Sequence, residues 1–570
     1  MPAIHLRDLA LLSDRRTAAL TTRLGEIVWY SPERFDAPSL LGKLLDTERG
    51  GSWRIEAPNL QAGPRQYLGD SGVLETRLMV DGGELHVTDF LPFGPELPRG
   101  LCRRLSASPS PYSLILSAAP DYARQAAAPR LVDGQAVIAG KYHLCGSHPL
   151  SVEGERVRMA VPAGEEAWAL LGLDAVNAPT AEDAHCWQQL SLQAWQDLTR
   201  EAVYYGPYQE AVRHSLRTLR MLTDHDGGGT IAAPTTSLPE VLGGQLNWDY
   251  RYVWLRDAGM VISVLTRMPG DGNEARRFLD FISAAAPRTG DLPLTPFLTV
   301  DGHDPPEEQE LPLAGYAGSL PVQVGNGARD QLQLDAYGNV LLAAKLLYQR
   351  FGSREHWAMI ETLTDFLAFH WQDDDFGIWE ERQKQPYVAG KVLTACALEY
   401  LAPLTKDAAQ AQRWRSAAKS ARAWVAEHGL TSEGAYAYIA GKDGVDISAA
   451  LYPVWGYCQP DSPEMLATVR VLERDYCQQN LYWRHLDNAP SPPEGAFLAG
   501  TFWMAQYWVM RGPQQARVIL DAALKFASDL GQLSEEADVE SGELLGNFPQ
   551  TFVHAALIGA VFDLKVAEAK

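Results

Sequence analysis

The spacing of hydrophobic residues changes period about a third of the way along the chain. Before that point apolar and polar residues alternate. Leu74, Thr76, Leu78 and Val80 alternate with Glu75, Arg77 and Met79; Asp81-Gly82-Gly83 supplies a turn, and Leu85, Val87 and Asp89 resume the alternation. Period-two runs joined by Asp-Gly predict a β-hairpin. Further strands are predicted over 112–118, 135–138, 152–161 and 166–173, separated by Gly, Pro and Ser. Short strands without intervening helices predict an antiparallel β-sandwich over residues 1–180.

From 181 to 207, Trp187, Leu190, Leu192, Trp195 and Leu198 fall at helical spacings and predict a helical linker. Beyond it, apolar residues three and four apart predict twelve helices: 208–224, 257–268, 272–286, 336–350, 354–371, 390–404, 406–428, 446–458, 463–478, 495–511, 513–530 and 550–567. Short connections make successive helices antiparallel neighbours, so residues 208–570 are expected to form a run of six helical hairpins, whose repeated pairing suggests a toroid without itself establishing closure.

Composition narrows the partners. A chain of 570 residues with a 46% hydrophobic fraction can bury a large core in several domains. Its 49 basic against 71 acidic residues give a net charge of −22, which repels nucleic acids and anionic membranes and favours a neutral ligand. Six scattered cysteines without a C-x-x-C imply neither a zinc site nor a disulfide framework, and are expected to be reduced and mostly buried. Arg7, Asp8, Asp14, Arg15 and Arg16 interrupt any apolar leader, and no later run reaches membrane-spanning length, so a cytoplasmic location is expected.

The densest chemistry lies at Asn247–Asp257, where two Trp, two Tyr, two Arg and two Asp share eleven residues. Aromatic planes interleaved with Arg and Asp suit a sugar, whose C–H faces stack on rings while its hydroxyls need fixed donors and acceptors. An aromatic turn with internal ion pairs is the structural alternative. Cleaving a sugar acetal needs two carboxyl groups, one protonated and one ionised. One candidate loop is Asp373-Asp374-Asp375-Phe376-Gly377-Ile378-Trp379-Glu380-Glu381-Arg382, where Trp379 could raise the pKa of Glu380 by excluding water. A solvated acidic loop explains the Asp run but not Gly-Ile-Trp-Glu-Glu-Arg. The other is Leu533-Ser534-Glu535-Glu536, followed by 542–550 and a helix containing His554; by composition alone Glu535, Glu536 and Glu543 are equivalent.

Asn247–Asp257, preceded by the Pro- and Thr-rich run 232–240, resembles the signature of glycoside hydrolase family 15, the glucoamylases, glucodextranases, isomaltose glucohydrolases and bacterial trehalases. Ala18–Trp29 and Arg34–Leu41 are similar to the start of bacterial members. The resemblance implies an (α/α)6 barrel carrying an N-terminal β-sandwich. It also implies Glu380 as general acid, Glu535 as general base, Arg256 and Asp257 gripping the terminal glucose, Tyr250 beside its anomeric carbon, and Trp254 as a supporting aromatic. Trp379 would belong to the substrate-binding shell beside Glu380, and Glu381 would be a ligand of the next sugar or aglycone unit. Arg484, Glu494 and Trp503 would complete the wall, with helix packing as their alternative role.

The loop 315–331 lacks the Gly-Lys-Ser/Thr of a phosphate cradle and resembles a pocket-lining family loop in which Gln331 and Asp335 are structural. Ala389-Gly390-Lys391 departs from the Ser-Lys more usual there. The expected activity is exo-acting, inverting hydrolysis of short α-glucosides, with malto- or isomalto-oligosaccharides ahead of trehalose and without cofactor or metal. A disaccharide phosphorylase, with phosphate replacing the base, and a non-catalytic carbohydrate-binding protein are the competing readings.

Overall fold

A computed structural model of the chain describes residues 4–200, 203–285, 292–484 and 494–569. The hairpin forms as its alternation predicts: Leu74–Val80 pairs antiparallel with Gly83–Phe90, with Leu74 opposite Asp89 and Val80 opposite Gly83. Leu74, Thr76, Leu78 and Val80 are buried on one face, while Arg77 and Met79 are exposed on the other. Two antiparallel sheets face each other across this apolar layer. The first runs Ala10–Ser13, Ala18–Thr21, Ile27–Tyr30, Ser52–Glu56, Tyr112–Ser117, Arg156–Val161, Leu150–Glu153. The second runs Arg130–Val132, Gln135–Ile138, Tyr142–Gly146, Ala167–Gly172, Gly100–Leu105, Gly83–Phe90, Leu74–Val80, Gln61–Tyr67. The single strand expected over 152–161 is instead a hairpin, because Gly154 takes a left-handed φ of 66° and turns the chain back.

Helix α1 (Ala181–Thr199) starts at a capping box in which Thr180 accepts from the Asp183 amide and Asp183 accepts from the Thr180 amide. It docks on the sandwich through Trp195, 4.8 Å from Phe93, and Trp187, 6.3 Å from Trp168. Then follow α2 (Gln209–Met221), α3 (Leu255–Arg267), α4 (Asn273–Ala285), α5 (Leu334–Phe351), α6 (Trp357–His370), α7 (Val388–Leu401) and α8 (Ala408–His428). A 3-10 turn, Ile447–Leu451, precedes α9 (Pro463–Asp475), α10 (Leu498–Arg511), α11 (Pro513–Leu524) and α12 (Thr551–Glu568). The helix expected over 446–458 is therefore reduced to that turn. Pro453 removes a backbone donor and Gly456 takes a φ of 81°, so the helix cannot propagate.

The inner wall of the ring consists of α3, α5, α7, the Ile447–Leu451 turn, α10 and α12; α12 packs on both α10 and α3 and so closes it. The other helices form the outer layer. Inner helices approach closely at glycine: a Cβ on Gly259 of α3 would lie 2.9 Å from the Asn339 backbone of α5, and one on Gly338 would lie 2.6 Å from Leu393 of α7. Among the described residues no helix is long and apolar enough to cross a membrane. Cys102, Cys145 and Cys396 are buried, Cys458 and Cys477 partly so, and Cys186 is exposed, so the thiols are less uniformly buried than expected.

The sandwich and the ring meet along the Asn247–Asp257 stretch. Arg251, 1% exposed, is held by both carboxylate oxygens of Asp249 at 2.8 and 2.7 Å, and donates to the Ala37 carbonyl at 2.9 Å and the Tyr122 hydroxyl at 2.6 Å. Trp29 adds a bond from its indole to the Pro234 carbonyl at 2.8 Å. Removing one partner of a buried pair strands the other's charge, so Arg251→Ala is expected to cost about 3–5 kcal/mol. Arg474→Ala, which breaks the half-exposed pair with Glu433, is expected to cost under about 1 kcal/mol. Urea unfolding of the two variants checks the contrast; equal midpoints would show the interface pair to be dispensable.

Candidate active site

One end of the ring gathers the chemistry, because each inner element contributes residues at or just before its N-terminus. Arg256 and Asp257 lie in the first turn of α3, and Asp335 in that of α5. Glu380 precedes α7, Asp446 caps the Ile447–Leu451 turn, Glu494 precedes α10, and Glu535 precedes α12. Helix N-termini favour negative charge, which suits a mouth lined by carboxylates.

The loop bearing Glu380 is pinned at its base. Asp375 and Gln385 exchange backbone hydrogen bonds at 3.3 and 3.0 Å, and the Asp375 carboxylate accepts from the Leu334 amide at 3.2 Å and the Gly377 amide at 3.3 Å. Gly377, at φ 70°, lies under the Tyr387 ring, where a Cβ would come within 2.9 Å of Cγ. Glu380 itself adopts φ 52°, a left-handed conformation that costs a non-glycine residue of order 1–3 kcal/mol and is concentrated at functional sites. Its Oε1 accepts from Arg256 Nη1 at 2.5 Å, and Arg256 also donates to the Ile378 carbonyl. Asp257 Oδ2 lies 3.3 Å from Arg256 Nε, and Asp335 Oδ2 lies 4.0 Å from Nη1. The Trp379 indole donates to Asp446 at 2.5 Å; its ring lies parallel to Trp503 at 6.2 Å and edge-on to Phe497 at 5.2 Å.

Across from this loop, Glu535 Oε1 accepts from the Tyr250 hydroxyl at 2.9 Å. Gly546, at φ 73°, passes so close that a Cβ there would lie 2.8 Å from the Glu535 Cβ and 2.9 Å from Oε2. Glu536 points elsewhere. It sits in a small sheet opposite Phe497, and its Oε2 accepts from the Gly495 amide at 2.9 Å. Arg484 donates to Glu494 at 3.0 Å and Glu240 at 2.6 Å, stands 3.6 Å from Glu536, and lies over Trp379 at 5.6 Å. Oxygens of Glu240, Glu494 and Glu536 lie within 4.8 Å of one another, a grouping with the donors to hold a cation. The Arg484 guanidinium already supplies one there.

Burial pushes the Glu380 carboxyl up, against the pull of Arg256. Burial pushes Glu535 well up and Glu240 adds to the rise, while Arg484 and the Tyr250 hydroxyl favour its ionised form. Glu240 itself is pushed up to about 7 by burial, and Arg484 opposes. Among the described residues Glu240 Oε1, Asp335 Oδ1 and Oδ2, Glu535 Oε2 and Glu536 Oε1 are buried without a hydrogen-bond partner, and Arg256 Nε and Asp257 Oδ2 have only their mutual ion pair at 3.3 Å. Buried polar groups are normally satisfied, so their concentration here marks a site built for a ligand rich in hydroxyls.

The structure brings Glu380, Glu535, Tyr250, Arg256, Asp257, Trp379, Arg484 and Glu494 into this one mouth. Trp254 lies beneath it, 3% exposed and stacked on Phe297 at 4.4 Å, so it supports the site and presents no face to a ligand. Glu381 accepts from the Tyr438 hydroxyl at 2.8 Å and lines a flanking cavity of about 540 Å³ with Tyr387 and Lys442. Lys391 is buried and donates to the Asp373 carbonyl, and Gln331 donates to the Glu381 carbonyl at 3.3 Å, so both brace the Glu380 loop. Glu240 escaped the sequence reading; its only local signal is a lone acid closing the Thr-rich run 232–240.

The sequence model for Glycosyl hydrolases family 15 matches residues 206–514 and 509–562. The chain belongs to this family. A second model, Trehalase-like, N-terminal, matches residues 2–145. A trehalase of Mycolicibacterium smegmatis is 30% identical across 100% of this chain and 92% of its own, and trehalase 1 of Sulfolobus acidocaldarius is 29% identical across 99% of each. A bacterial glucoamylase crystallised with acarbose superposes at a TM-score of 0.72 over 99% of this chain and 96% of its own; at 14% identity it shares the fold, the (α/α)6 barrel with its N-terminal sheets. The protein is accordingly a glycosidase.

Asp335 makes the site a source of pH-dependent stability. Burial pushes it up to about 8 from an ordinary 3.8, with Asp375 and Glu380 adding and Arg256 opposing. Between those values the folded protein keeps a proton that the unfolded chain has released. That stabilisation is complete below the unfolded value and is lost as pH rises toward about 8, by at most about 1.4 kcal/mol per pH unit. Asp335→Asn is expected to flatten this slope in urea unfolding at about pH 5 and pH 8; an unchanged slope would mean that Asp335 ionises freely in the folded protein.

Proposed function

We propose that the protein hydrolyses α,α-trehalose with inversion at one anomeric carbon. The observation that carries this reading is the likeness to trehalases over the full chain, both sandwich and ring. It reverses the order expected from sequence, which put malto- and isomalto-oligosaccharides first because the glucose-gripping residues are silent about linkage. Tyr250, Arg256 and Asp257 hold the first glucose, the Arg256 guanidinium and the Asp257 carboxylate paired with it meeting its hydroxyls.

Protonated Glu380 gives its proton to the glycosidic oxygen as the C1–O bond breaks, and burial beside Trp379 favours that protonated form. Ionised Glu535, held by the Tyr250 hydroxyl, takes a proton from water, whose oxygen bonds to C1 on the opposite face. An inverting pair of carboxyls stands roughly 6.5–9.5 Å apart to admit that water. The products are one β-glucose, from the attacked ring, and one α-glucose, from the leaving ring.

Two measurements test this. With trehalose, proton NMR of fresh product is expected to show α- and β-glucose in equal amounts, with kcat/KM more than tenfold above that for maltose or isomaltose, about 1.4 kcal/mol of discrimination. Release of α-glucose alone would mean retention, and a preference for maltose would restore the glucoamylase-like order. Phosphate-dependent turnover would point to a phosphorylase, and binding without turnover to a non-catalytic protein. Glu380→Gln is expected to lower kcat roughly 10²–10⁴-fold with little change in the unfolding midpoint; wild-type turnover by that variant would move the acid elsewhere.

A further inference from the structure

His554, on the second turn of α12, is completely buried and touches no part of the mouth, yet it holds the segment that ends in Glu535. Its Nε2 lies 3.2 Å from the backbone nitrogen of Leu533, two residues before Glu535, and its Nδ1 lies 2.8 Å from the Ser215 hydroxyl on α2. A backbone N–H can only donate, so Nε2 must be the bare nitrogen of the ring. In a neutral imidazole the proton then sits on Nδ1 and is given to Ser215 Oγ. The tautomer is fixed by the fold.

We infer that His554, oriented by Ser215, is a positioning residue that sets the Glu535 carboxylate against the Tyr250 hydroxyl by accepting the Leu533 amide. The inference rests on Glu535 acting as the general base. Other bonds fix the residues on either side of Leu533: the Gln532 backbone bonds Ser528, the Gln532 side chain bonds the Leu11 amide and the Tyr67 hydroxyl, and the Ser534 hydroxyl donates to the Glu536 carbonyl, while the Leu533 amide itself is met by His554. The Gln550 amide returns to the Leu533 carbonyl at 3.0 Å, and the Leu498 amide meets the Glu535 carbonyl at 3.1 Å. Gly546 lies directly against the side chain, so a shift of the segment drives Glu535 into backbone on one side or away from Tyr250 on the other. A second proton on the ring would set N–H against N–H. Burial, with His214 and Arg217 of α2 nearby, pushes His554 down to about 3 and so favours the neutral ring. Around Glu535 stand the charged and titratable groups Glu240, Arg484, Glu494, Glu536 and Tyr250, so its ionisation depends on their geometry as well.

The test compares His554→Leu, His554→Gln and Ser215→Ala on trehalose, with Glu535→Gln beside them. The leucine variant is expected to lose at least about tenfold in kcat with KM nearly unchanged, and its acidic limb of kcat/KM is expected to move to higher pH as Glu535 loses the Tyr250 bond. Gln can present Oε1 to the Leu533 amide and is expected to recover most of the lost rate and the wild-type limb. Ser215→Ala deletes one oxygen, and if the leucine variant does not fold it carries the test: the same limb is expected to move in the same direction. Variants that fold with the wild-type limb and kcat would overturn the inference and leave His554 as packing alone. Full activity in Glu535→Gln would instead overturn the assignment of the base, which is a separate result.

Discussion

Two guanidinium groups hold the mouth of the ring together. Arg256 faces Asp257, Asp335 and Glu380, and Arg484 faces Glu240, Glu494 and Glu536, with Glu535 beside the second set. Seven carboxyl groups share two cations in a space that water largely leaves. They cannot all ionise, because the cost of an uncompensated buried charge is far larger than the stability of a domain can absorb. Some must keep protons, as the upward displacement of Glu240, Asp335, Glu380, Glu535 and Glu536 indicates. A glycosidase needs just such a stored proton beside an acceptor. The electrostatic strain of the mouth and its capacity for acid–base work have one origin.

Much of this was legible in the chain before any coordinate. The hairpin at Leu74–Phe90 follows from strict alternation, and eleven of the twelve expected helices of the C-terminal region follow from three- and four-residue spacing, because burial on one face imposes those periods. The helix over 446–458 failed because apolar spacing persists through Pro453, whose missing donor spacing does not register. The strand over 152–161 failed because alternation continues on both sides of a tight turn and is silent about the φ of Gly154.

The site was legible unevenly for a related reason. Arg256, Asp257 and Glu380 sit in dense aromatic contexts that stand out locally. Glu535 and Glu536 are neighbours of the same type, and only the register of the small sheet sends one toward Tyr250 and the other toward the Gly495 amide. Glu240 and His554 act through partners far away in sequence, 244 residues in the case of Glu240 with Arg484, and nothing local marks such a partnership.

Along Asp249-Tyr250-Arg251 the side chains alternate in direction. Arg251, clamped by Asp249, locks onto the Ala37 carbonyl and the Tyr122 hydroxyl of the sandwich, while Tyr250 between them reaches Glu535. The β-sandwich is thus part of the foundation on which Glu535 is seated rather than an appended module. A ring expressed alone, or grafted onto a foreign sandwich lacking that carbonyl and that phenol, would carry every side chain of the mouth and still leave Arg251 without its sandwich partners and Tyr250 without a fixed perch. Exchanging either domain of this chain therefore requires exchanging the two surfaces as a matched pair.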